Sequence, residues 1–168
     1  MTTIQDNVTG ECCPKFDSEK WDNKTFNWKN KLFIKASIPE FFHIPYPPMI
    51  GKKITKMMKL AEDTHKLSED IEDVLLLFND PHPFRADMYL SVTGQVHNAK
   101  NTQLSGTFKT KVFDGPFKDI PKYMKQMKDT LKASSKEVED FYVHYAYCPK
   151  CAEKFGHNFM VFFAKIKE

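Results

Sequence analysis

Apolar residues along this chain fall into two alternating rhythms. From Lys31 the stretch "KLFIKASIPEFFHIPY" has the composition and alternation of an extended strand. Pro39 is expected to break it and Pro45 to end it. Pro47 and Pro48 then sit where a helix can begin, because first-turn N–H groups have no helical partner to lose. Ile50, Ile54, Met57, Met58 and Ala61 follow as a one-sided helical stripe. "DVLLLF" reads as a buried strand, "NDPHPFR" as a loop and "ADMYLSVTGQV" as a second strand. That strand carries Ala86, Met88, Leu90 and Val92 on one face and Asp87, Tyr89, Ser91 and Thr93 on the other.

The same order then recurs. "QLSGTFKTKVFDG" predicts a strand and "PFKDIPKYMKQMKDTLKAS" a helix, with Asp119 as N-cap and Pro121 in the first turn. "DFYVHYAYC" predicts a strand, "PKCAEKFG" a hairpin loop and "HNFMVFFAKI" a last strand. The expected fold is therefore α+β: two strand–helix–strand–strand modules with pseudo-twofold symmetry, in an antiparallel sheet with both helices on one face. The expected boundaries within a single domain 1–168 are an N-terminal arm over 1–30, a first module over 31–96 and a second over 103–168.

Composition narrows the function. The chain has 168 residues, enough for a core without staples, and its 15 phenylalanines exceed what a small core needs, which suggests a lined cavity. The net charge is only +3, with lysines mixed among acids, and no basic stripe is interleaved with stacking aromatics. Nucleic acid is not expected as a partner. No run is apolar enough to span a membrane, and the N-terminus lacks the apolar core of a leader. A cytoplasmic monomer that takes a small-molecule ligand is the expectation.

"YAYCPKCAEKFGHNF" holds the pattern most suggestive of chemistry. A redox C-x-x-C belongs at a helix N-terminus, whereas a glycine and a strand are expected to follow here. A zinc knuckle needs further ligands. Cys12, Cys13 and His157 are the candidates, but no second knuckle is present. The thiols are therefore expected to be reduced and metal-free, with no metal and no cofactor. Spacing selects no catalytic Cys–His pair, and no nucleophile elbow, zinc helix or phosphate-binding glycine loop occurs.

Strand faces supply the binding candidates. Asp87 and Tyr89 share one face, and Val143, Tyr145 and Tyr147 share one face of the matching strand. Phe113 precedes the second helix as His43 precedes the first. On the helix-free sheet face, Trp21, His43, Tyr89, Phe113, Tyr145 and Tyr147 would form an aromatic wall with Asp87 as its acid. Asp87 is also the candidate catalytic group for proton transfer.

"CCPKFDSEKWDNKTFNWKNKLFIK", "FKTKVFDGPFKDIPKYMKQM" and "YAYCPKCAEKFGHNFMVFFAKI" together resemble the GyrI-like small-molecule-binding proteins. They resemble more closely the stand-alone branch often labelled hydrolase. The resemblance implies two pseudo-symmetric modules with an aromatic-lined ligand cleft between them. It also implies a hydrophobic or aromatic ligand, xenobiotic or drug-like. Relatives include drug-sensing domains and enzymes that open strained rings. Drug-binding relatives place a Glu where this chain has Val143. The alternatives are a hydrolase acting on an electrophilic strained-ring or ester molecule, in which a carboxylate handles the proton, and a protein-interaction module.

Overall fold

The computed structural model describes residues 13, 15–42, 44–45 and 47–168. The fold is α+β with antiparallel strand pairing. The chain divides into two compact units: Asn30–Leu104, and a second made of Met1–Lys29 with Ser105–Glu168.

In the first unit, β1 (Thr25–Phe41), α1 (Pro47–Asp63), β3 (Leu76–His82) and β4 (Arg85–Ser91) follow in order, with β2 (Ile44–Pro45) folded back on the end of β1. β4 is the inner strand and pairs with both β1 and β3. Ile34, Leu90 and Leu76 lie side by side across the three strands. They pack with Met57 and Ala61 of α1, so the helical stripe and one strand face make a single core.

Three expectations need correction here. β1 starts at Thr25, so the strand includes what was expected to be arm, and it continues through Pro39. The Leu32 carbonyl accepts from the Val92 amide and the Glu40 amide donates to Phe84, which turns even-numbered backbone groups toward β4. Pro39 therefore points its missing N–H away from β4, so no bond of that ladder is lost. β3 likewise runs into the expected loop, with a register shift between Asn79 and His82.

In the second unit, β5 (Lys100–Asp114), α2 (Ile120–Ala133), β6 (Val138–Tyr145) and β7 (Phe159–Ile166) repeat the element order. β7 is inner and pairs with β5 and β6. Met160, Phe162 and Ala164 face α2 and pack with Phe113, Phe141, Val143 and Met127. Asp119 is the N-cap of α2, but its side chain makes no capping bond.

The segment expected as a hairpin loop is a short helix, α3 (Pro149–Phe155). Pro149 occupies the first turn, and Gly156 ends the helix at φ 72, where a side chain would be strained. Among the described residues no helix is long and apolar enough to cross a membrane.

Gly115, between β5 and α2, is set by close approach. A Cβ there would fall almost on the Tyr123 hydroxyl. That ring is stacked on Phe113 at 4.3 Å, so it has little room to give. Gly115→Ala is expected to cost about 2 kcal/mol through overpacking, measured by urea denaturation, while Gly51→Ala, with open space around its Cβ, should cost nothing.

Candidate functional site

Asp87 lies in β4 on the sheet face away from α1, and is only 3% exposed. Strand pairing sets it opposite Ser37, whose hydroxyl donates to its carboxylate at 2.6 Å. The Lys35 amine stands 3.4 Å from one carboxylate oxygen and the Arg85 guanidinium 3.3 Å from the other. Two cations and one hydroxyl thus compensate a single buried acid. Tyr89 shares this face as expected, with Phe33 edge-on at 6.2 Å and the Lys35 amine 5.5 Å from its ring centre.

The other described wall residues belong to the second unit and are placed there as follows. Phe113 and Tyr145 face α2: Phe113 stacks on Tyr123, and Tyr145 packs against the same core. Register sets the face of Tyr145. Tyr145 lies opposite Met160 and Val143 opposite Phe162, and directly opposed residues share a face. Tyr147 lies beyond β6 against Phe155 and Phe159, and its hydroxyl accepts from the Phe16 amide at 3.0 Å. Trp21 is buried against Phe26 and Phe163. His43 lies outside the described residues.

The helix-free face of the second unit instead carries aromatics that sequence reasoning did not select. Phe108, Tyr142 and Phe163 lie there, with Trp28 only 4.4 Å from Phe108. The available signal was the "TFNW" alternation, which marks Phe26 and Trp28 as strand residues on one face.

A groove of about 480 Å³ opens between β5 and α2. Phe113, Met127 and Leu131 supply its apolar surface, while Lys24, Lys109 and Lys136 bring charge to it. Lys111 also lines it and pairs with Asp22 at 3.4 Å. No acid is among the lining residues. In the first unit a smaller groove of about 270 Å³ lies between β1 and α1, again with lysines (Lys53, Lys56 and Lys100) and no acid.

The cysteines provide another constellation. The thiols of Cys13, Cys148 and Cys151 all lie within 4.8 Å of one another. Cys148 is the N-cap of α3 and Cys151 sits in its first turn. The helix removes the sequence-based objection that no helix follows this pair. The Cys148 amide donates to the Cys13 sulfur at 3.3 Å. Burial pushes the Cys13 thiol well above its ordinary range; that amide works against the rise, and the neighbouring thiols add to it. The expected candidate His157 is engaged elsewhere, with its Nδ1 2.7 Å from Asp114 and its ring stacked on Phe159. Cys12 lies outside the described residues.

Comparison with known proteins agrees with this architecture. The family described as bacterial hydrolase matches residues 2–166, and the chain belongs to that family. A solved structure described as SAV2435 bound to tetraphenylphosphonium has the same fold, with a TM-score of 0.53 and 11% identity over 87% of this chain and 94% of that one. No curated protein matches the chain.

The ion-pair centre at Asp87 gives a direct expectation. Asp87→Asn keeps the shape but removes the charge from two cations. It should lower unfolding stability by about 2 kcal/mol, the scale of hydrogen bonds to a charged group, in urea titrations. Arg85→Gln should cost less, because that guanidinium is 48% exposed and its pair is screened.

Proposed function

We propose that the protein binds an amphipathic small molecule with an aromatic or hydrophobic body and an acidic group, and that the β5–α2 groove receives it. The observation that carries this reading is the groove itself, with an apolar surface of Phe113, Met127 and Leu131, four lysines and no acid in its lining. Its volume of about 480 Å³ falls in the range of small-molecule sites. The similar structure with tetraphenylphosphonium supports ligand binding as the general role. Charge separates the two cases. That ligand is a lipophilic cation, whereas a lysine-lined groove repels cations and attracts anions. The similar lysine-lined groove of the first unit supports reading the two units as copies of one module.

The test is a fluorescence titration with the anionic dye anilinonaphthalene sulfonate, with tetraphenylphosphonium as the cationic comparison. Thr130 is an exposed residue of α2 on the groove. Thr130→Trp should fill the groove and weaken the dye at least ~10-fold, equivalent to ~1.4 kcal/mol, with unchanged melting temperature. Lys136→Glu should weaken it in the same direction, and added salt should reduce affinity in the wild type. Equal dye affinity in wild type and Thr130→Trp would move the site elsewhere, and tighter binding of the cation would overturn the charge assignment.

A second reading, hydrolysis of a strained-ring or ester compound, is favoured by the family description. In that case Asp87 would handle the proton and nearby hydroxyls would steady the leaving oxygen. Asp87→Asn would then slow turnover per folded molecule by ~100-fold or more. Loss of stability alone, with turnover intact, would refute Asp87 as the catalytic group.

A further inference from the structure

We propose that Cys13, Cys148 and Cys151 form a zinc-binding site. The three thiols come from two distant parts of the chain, the segment before the 3₁₀ turn at Ser18–Lys20 and the start of α3, yet lie within 4.8 Å of one another. Tetrahedral zinc with sulfur at about 2.3 Å places its sulfurs about 3.8 Å apart, so the cluster needs at most about 1 Å of closure. No disulfide joins these three cysteines.

The surroundings suit a metal knuckle. Pro149 and the first turn of α3 set Cys148 and Cys151 three residues apart with both sulfurs toward Cys13. The Cys148 amide already donates to the Cys13 sulfur, and an N–H donor of this kind offsets the negative charge that ligated thiolates carry. Cys151 is 2% exposed and Cys13 and Cys148 are half-buried. Three soft sulfur donors select zinc over calcium or magnesium, which take oxygen. On binding, zinc replaces the three thiol protons, which leave to solvent. The sequence-based expectation of a metal-free chain rested on the absence of a second knuckle; Cys13 supplies a third ligand from 135 residues away, and a solvent molecule would take the fourth tetrahedral position.

The ion would fasten the N-terminal segment to α3 within the second unit. Phe16 and Tyr147 make the same connection through one hydrogen bond and the rings of Phe16 and Phe159. Zinc is therefore inferred as a structural tie, independent of the ligand groove.

The test uses the full chain purified under reducing conditions and incubated with zinc, then freed of unbound metal. Elemental analysis is expected to give about one zinc per chain. Cobalt substitution should give an intense near-ultraviolet thiolate-to-metal band. Cys13→Ser and Cys148→Ser should abolish that band and the stoichiometric zinc. Cys12→Ser, the adjacent control, should keep both. Chelation should lower the melting temperature by about 5 °C or more in the wild type and leave Cys13→Ser unmoved. Cys13 is half-buried and lies in the N-terminal segment, so its serine variant keeps the test readable if Cys148→Ser misfolds. A wild-type chain that is folded and reduced but holds less than about 0.1 zinc would overturn the proposal. A Cys12→Ser chain that loses zinc while Cys13→Ser retains it would overturn the assignment to Cys13.

Discussion

β7 must be apolar on both faces, and this constraint governs the second unit. Met160, Val161, Phe162, Phe163 and Ala164 are all fully buried. Side chains of a strand alternate, so two separate layers are required to cover it. α2 covers the face of Met160 and Phe162. Trp21, Phe26 and Trp28 approach the other face at Phe163. An N-terminal segment that looks irregular in the sequence is thus a structural layer. It is fixed by hydrogen bonds as well: the Thr110 amide donates to the Lys24 carbonyl, and the Val112 amide donates to the Asp22 carboxylate.

β4 meets the same constraint differently. Its α1 face is aliphatic, but its other face holds Asp87 and Ser91, both buried. Burying a carboxylate is costly without partners, so neighbouring strand positions supply a hydroxyl and two cations. Ser91 meets its need through the Leu75 amide, which donates to its hydroxyl at 2.8 Å. Polar side chains on this strand face therefore specify register, since a slip of one residue would strand the acid among α1's aliphatic residues.

Much of this was legible in the sequence wherever one periodicity ran long enough. Both long helices, the order of the main strands and the two faces of β4 follow from alternation and from the prolines at 47 and 48. α3 was not legible as a helix because its seven residues are too few for a periodic signal. Only its end signals, Pro149 and Gly156, announced it. The side of the sheet that the aromatic residues take was not legible for another reason. Alternation says which residues share a face, but not which face the helix takes. Tyr145 and Phe113 were expected on the helix-free face and lie on the face that α2 covers. Cys13 was one of three candidate partners for Cys148 and Cys151, and local pattern could not choose it because the choice depends on a contact across 135 residues.

The division into units bears on the order in which the protein can take shape during translation. Asn30–Leu104 is continuous, so all of it leaves the ribosome together. The other unit is split, with one piece before and one after. Trp21, Phe26 and Trp28 emerge early but must wait for β7, at the far end of the chain, before they can be covered. At roughly 5–20 residues per second that interval lasts several seconds or more. During it the emerging polypeptide presents three large aromatic rings without their native cover, a natural landing place for a ribosome-associated chaperone.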